Sequence, residues 1–193
     1  GSDLYFDRHD GQAVTCDDFV AAMQDASGID LTLFKRWYSQ AGTPIVTVED
    51  AYFPEENRYL LTIKQETPAT PGQPTKLPLH IPIRVGLLTA QGQEIEAQYQ
   101  GVKATDVTLL LTEAEQTFEF TQVESQPIPS LLRAFSAPVK LRYNYSADQL
   151  LLLMSADSDG FNRWSAAQQL ALNELTQLIE QASAGQALAI ESQ

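Results

Sequence analysis

Histidine and cysteine are nearly absent from this chain of 193 residues, which has two histidines, His9 and His80, and a single cysteine, Cys16. One cysteine closes no internal disulfide, so nothing in the sequence points to an oxidising compartment. Cys16 also stands beside Asp17 and Asp18, a poor setting for a reactive thiolate. A zinc site needs three or four converging nitrogen, sulfur or carboxylate ligands, and neither histidine has another within a few residues. No metal ligand and no catalytic residue is therefore assigned. His80 reads as a strand surface side chain and His9 as a local turn contact, through Asp10. Long apolar runs are missing too: the longest, Leu150 to Met154, is five residues, against about 20 for a membrane span. Cations are scarce, with 12 Lys and Arg against 25 Asp and Glu and a net charge of −13. Phosphate backbones and anionic lipid surfaces repel such a chain, so neither nucleic acid nor membrane is an expected partner.

Familiar loop chemistry is also lacking. There is no Gly-x-x-x-x-Gly-Lys loop and no Gly-x-Gly-x-x-Gly turn for a nucleotide, and no Gly-x-Ser-x-Gly elbow for a serine nucleophile. Asp157-Ser158-Asp159-Gly160 lacks the later glutamate of a calcium loop and reads as a helix cap. The Pro-rich tract Thr67 to Pro74 reads as a stiff spacer. The acidic start of the chain does not read as a secretory leader.

What is present falls into three segments. Residues 1 to about 44 read as helical. Thr15 is an N-cap with Asp17 and Asp18 in the first turn, and Gly28 is the stop. A second helix is expected from Asp30 or Leu31, with Leu31, Phe34, Trp37 and Tyr38 on one stripe, ending at Gly42. From residue 45 to 145 the period changes to two. Ile45-Val46-Thr47-Val48, the runs around Leu61, Ile83, Leu109, Phe118 and Leu141, and turn formers between them predict about seven short strands. That implies an antiparallel β-sandwich of immunoglobulin-like size. Pro82 inside its run predicts an edge strand or a bulge. Residues 146 to 193 return to helix, with a Ser146/Gln149 capping box and a second helix that begins near Asp157 to Asp159, runs to Ser183 or Ala184 and stops at Gly185. Ala187 to Gln193 reads as a frayed end.

The expected fold class is thus mixed α and β, a central sandwich flanked by helices at both ends. Both flanks carry more large apolar side chains than short helices can bury. Trp37, Tyr38, Phe161 and Trp164, one helix from each border, are the expected inter-domain packing residues. Left uncovered, such flanks would favour non-native self-association.

Several segments together resemble a known family. They include Leu4-Tyr5-Phe6-Asp7-Arg8-His9-Asp10-Gly11, Arg36-Trp37-Tyr38-Ser39-Gln40-Ala41-Gly42-Thr43-Pro44, Phe135-Ser136-Ala137-Pro138-Val139-Lys140-Leu141 and Phe161-Asn162-Arg163-Trp164. In order and spacing they are similar to bacterial aminopeptidase N, a family of gluzincin zinc metallopeptidases. The resemblance implies that residues 1–44 are the last helices of a catalytic domain, 45–145 a complete sandwich, and 146–193 the first helices of a C-terminal helical domain. It implies a cytoplasmic parent that uses zinc to remove N-terminal residues from peptides. The His-Glu-x-x-His zinc motif and the Gly-x-Met-Glu-Asn motif are absent here, so no catalytic or zinc-binding role is carried onto any residue. The partners implied are the remaining catalytic and C-terminal domains. A self-standing β-sandwich binding or protein-interaction module is the alternative, and a hydrolase without a metal ranks last.

Overall fold

The computed structural model describes residues 1–186. The segment read as a frayed end, 187–193, lies outside them. Two N-terminal helices, α1 (Ser2–His9) and α2 (Cys16–Ser27), pack on each other, with Tyr5 edge-on to Phe19 at 5.2 Å and Arg8 paired to Asp25 at 2.6 Å. Thr15 caps α2 as expected. The Asp18 carboxylate accepts from the Thr15 N–H at 2.8 Å, and Gly28 ends the helix in the left-handed region at φ 69°. The second predicted helix is much shorter than its apolar stripe suggested. Only α3 (Arg36–Ser39) is α-helical, preceded by turns. Asp30 diverts the start by accepting from the Thr32 N–H at 2.9 Å, the local competition that short polar side chains offer a helix.

Among the described residues the sandwich holds nine strands. A six-stranded sheet has the order β5 (Val102–Ala104), β4 (Ala97–Tyr99), β7 (Glu115–Thr121), β2 (Arg58–Glu66), β1 (Ile45–Phe53), β9 (Lys140–Arg142). A three-stranded sheet has the order β6 (Asp106–Leu111), β3 (Ile81–Leu88), β8 (Ile128–Leu131). Every pairing is antiparallel except β1 with β9, which is parallel. The period-two runs place Val46, Val48, Tyr59, Leu61, Ile63, Ile81, Ile83, Leu109 and Phe120 in one core between the sheets. Gln65 enters that interior by acting as a strand partner: its amide accepts from Leu79 N–H at 2.7 Å and donates to Leu79 O at 2.8 Å.

Where it holds Pro82, strand β3 is an edge, as that residue predicted, and further on it is an inner strand. Strand β8 pairs only with Val85 to Leu88. Beside Pro82 only β6 is present, opposite Leu110, so its missing N–H leaves no ladder bond unmade. From Val85 onward β3 is buried on both faces. Val85 and Leu87 face the sandwich core, while Leu88 faces a second cluster with Leu150, Leu153 and Ala166. Those last residues belong to α4 (Ala147–Ala156) and α5 (Gly160–Ser183), which cover the outer face of the small sheet. The Ser146/Gln149 capping box forms, and Asp159 caps α5 by accepting from Asn162 N–H at 2.8 Å. Among the described residues no helix is long and apolar enough to cross a membrane.

Candidate functional site: the two joints of the sandwich

The C-terminal joint is built around Arg133, which is 2% exposed. Its Nη2 meets Asp157 Oδ1 at 3.1 Å, its Nη1 meets Glu94 Oε1 at 3.0 Å and lies 3.6 Å from Asp106 Oδ2, and its Nε donates to Ser130 Oγ at 2.8 Å. Ser130 in turn donates to Asp157 Oδ2 at 2.5 Å and accepts from Asn162 Nδ2 at 2.7 Å. Ser158 donates to Glu94 at 2.6 Å. One guanidinium thus ties β8 and the β3–β4 loop to Asp157, in the connection between α4 and α5. A buried charge is tolerable only with its hydrogen bonds satisfied, and among the described residues no buried side-chain polar atom lacks a partner.

Local chemistry makes room for this cluster. Gly86 of β3 lies under the guanidinium, and a Cβ there would overlap it. Leu132, Ala134 and Phe135 all adopt left-handed backbone, with φ of 57°, 55° and 50°. Each such non-glycine residue costs on the order of 1 kcal/mol. The surroundings over-determine the turn: Ala134 N–H donates to Asp159 Oδ2 at 2.8 Å, Ser136 Oγ accepts from Arg84 N–H at 3.0 Å, and the Phe135 ring meets that of Phe161 at a tilt of 55°, with centroids 5.2 Å apart. The Ser158 hydroxyl first, and Arg133 beside it, hold the Glu94 carboxyl below its ordinary range. Tyr145 reaches the Pro129 carbonyl at 2.7 Å, and burial pushes its phenol well above the usual value.

The N-terminal joint is made differently. Trp37 Nε1 donates to His80 O at 2.8 Å while its ring packs against the sandwich core. Arg36 donates to Pro78 O at 2.6 Å. Gln40 exchanges two hydrogen bonds with the backbone of Leu77, at 2.8 and 2.9 Å. Gln73 and Lys76 fasten the 39–41 segment through Ser39 O, Ala41 N–H and Ala41 O. The Pro-rich tract is therefore a strap under α3.

Of the four expected packing residues, Trp37 and Phe161 lie in the joints. Tyr38 is 55% exposed and touches Phe34 at 6.1 Å; Trp164 is 58% exposed beside Phe161 at 5.8 Å. Beyond its first two turns α5 presents Leu172, Leu175 and Ile179, all more than half exposed. His80 contributes its carbonyl to the joint and His9 packs its ring on Tyr5 at 5.5 Å. Among the described residues no group of three or more His, Cys, Asp and Glu could hold a metal ion. Sequence reasoning missed Arg133, Ser130 and Glu94 and saw Asp157 only as a cap. Gly86 within a strand was the available signal, since an interior glycine there often marks a close approach.

Residues 42–144 match a family described as a domain of unknown function, DUF3458, with an Ig-like fold, and residues 147–193 match its companion DUF3458_C, described as ARM repeats. The chain is 52% identical over 190 residues to aminopeptidase N of Escherichia coli strain K12, covering 98% of this chain and 22% of that protein. It is 46% identical over 190 residues to aminopeptidase N of Haemophilus influenzae, again covering 98% and 22%. A crystal structure of Legionella pneumophila aminopeptidase A in complex with aspartic acid superimposes with a TM-score of 0.78 at 36% identity, covering 97% of this chain and 20% of that one. The chain therefore spans about a fifth of the length of these relatives.

Proposed function

The chain belongs to the Ig-like family DUF3458, and from that premise we propose that it is the positioning segment of a zinc-dependent aminopeptidase. On this reading residues 1–44 finish the catalytic domain, 45–145 are the sandwich and 146–193 open the C-terminal helical domain. The parent is cytoplasmic, and its zinc and peptide-binding residues lie in the part of the relatives that this chain does not span. The described residues do not fit the metal, since they offer no group of three ligands for it, and no step of hydrolysis is assigned to them. Their work is mechanical: to fix how the two flanking domains face each other and so hold the enclosure around the reacting peptide.

The observation that most supports this is the Arg133 cluster, a buried charge network on the border between sandwich and helices. Such networks are weak sources of net stability but costly to break, which suits a joint that must keep one geometry. The exposed apolar faces of Tyr38, Trp164, Leu172 and Ile179 are the surfaces the remaining domains would cover. Release of naphthylamine from an aminoacyl-naphthylamide tests the reading. The 193-residue chain should show none with added zinc, and the whole polypeptide carrying Asp157→Asn should lose turnover in proportion to its loss of folded structure. Zinc-dependent release by the chain alone would overturn it.

A further inference from the structure

Among the described residues strand β9 ends the six-stranded sheet and has a neighbour, β1, on one side only. Lys140 N–H donates to Pro44 O at 2.9 Å, which sets the phase of the parallel ladder. The N–H and C=O of Leu141 then point to the outer side of the sheet. An unpaired strand edge of this kind is a template for another extended chain.

The two faces of β9 differ. Leu141 lies beside the buried Val46 and faces inward. With Leu131, Leu132, Phe135, Phe161 and Ser165 it lines a groove of about 220 Å³ between the sheet and α5. The outward residues are Lys140 and Arg142, both exposed. Nearly every other lysine or arginine of this acidic chain is tied to a carboxylate or a carbonyl. The side chains of Lys140 and Arg142 have no hydrogen bond or ion pair among the described residues. Two free cations one residue apart on a sheet edge, in a chain of net charge −13, are the local exception to its electrostatics.

We propose that this edge binds an extended acidic peptide segment as an added strand, with alternate apolar side chains filling the groove and alternate carboxylates facing Lys140 and Arg142. Directly opposed charges across a strand pair are favourable. The turn that carries Phe135 against Phe161 places that apolar wall beside the edge. This binding role is separate from the positioning role and stands whether or not the parent is an aminopeptidase.

The probe is fluorescein-labelled Thr-Glu-Val-Glu-Val-Glu-Thr, read by anisotropy against the 193-residue chain, with Thr-Lys-Val-Lys-Val-Lys-Thr as its opposite. The acidic peptide should bind saturably, the basic one should not, and about 0.5 M salt should weaken the complex. The exposed double variant Lys140→Glu/Arg142→Glu should lower affinity for the acidic peptide by roughly tenfold or more and bind the basic one instead. Ser165→Trp, which fills the groove, should abolish binding of the acidic peptide with the fold intact by circular dichroism. Equal binding of both peptides to the unmodified chain, or no saturation by about 1 mM, would overturn the proposal. So would sedimentation showing that a second copy of the chain occupies this edge and that the double variant disperses it.

Discussion

Arg36, Trp37 and Gln40 hold the N-terminal flank by hydrogen-bonding to half-buried or exposed backbone groups, whereas Arg133 holds the C-terminal flank from within, among three carboxylates. The first arrangement distributes separate contacts, about 1 kcal/mol for a neutral hydrogen bond and somewhat more for the charged Arg36 donor. The second concentrates a charge where every partner is needed, because an orphaned buried ion costs far more than a neutral hydrogen bond. The comparison teaches that the border between sandwich and helices at residues 145–147 is a border of sequence pattern and not of mechanics. Leu88 of the sandwich and Leu150 of α4 share one cluster, and Arg133 crosses the same line.

The largest expected effect is on that inner joint. Arg133→Met should cost about 3–5 kcal/mol by leaving Asp157 buried without its cation, a drop of roughly 6–20 °C in melting temperature for a chain of this size. Gly86→Ala should come next, about 2–3 kcal/mol from overpacking. It should cost little more once Arg133→Met is present, since the two changes act on one contact; a denaturant-melt cycle of the four proteins reads this coupling. At the outer joint Trp37→Ala should cost about 2–3 kcal/mol in the same melts, below the range for a fully buried tryptophan because the ring is half-buried.

Acid should separate the joints. The Glu94 carboxyl titrates below its unfolded value, so its contribution is present above the unfolded pKa and is lost as pH falls through the lower folded one. Melting temperature should therefore fall on the acid side, and Glu94→Gln should flatten that limb while leaving the neutral limb little changed in slope. The smallest effect has the opposite sign: Ala134→Gly should stabilise by about 0.5–1 kcal/mol, because glycine takes the φ of 55° without strain.

Much of this was legible in sequence. The capping residues Thr15, Ser146 and Asp159 and the stops at Gly28 and Gly185 act through bonds within a few residues, and the period-two runs of Leu61 or Ile83 declare a buried face directly. The short strands β4, β5 and β8 were not singled out, whereas β9, equally short, was visible because Val139, Leu141 and Tyr143 alternate across it. The helix expected from Asp30 or Leu31 failed at its start because Asp30 spends its carboxylate on the Thr32 N–H. The parallel pairing of β9 was hidden as well, since Lys140 and Ile45 are neighbours only in space. Arg133 was opaque for a related reason. Its partners Glu94, Asp106 and Asp157 are far apart in sequence, and only folding shows that a surface-type residue is interior.

Native-state hydrogen exchange tests the account most directly. If the inner joint makes sandwich and helices one cooperative body, the amides of Leu150 and Leu153 in α4 should exchange with the same free energy as those of Leu61 and Ile63 in β2, and Arg133→Met should lower the first pair well below the second. Amides of α4 that open independently of β2 in the unaltered chain, by about 2 kcal/mol or more, would contradict it.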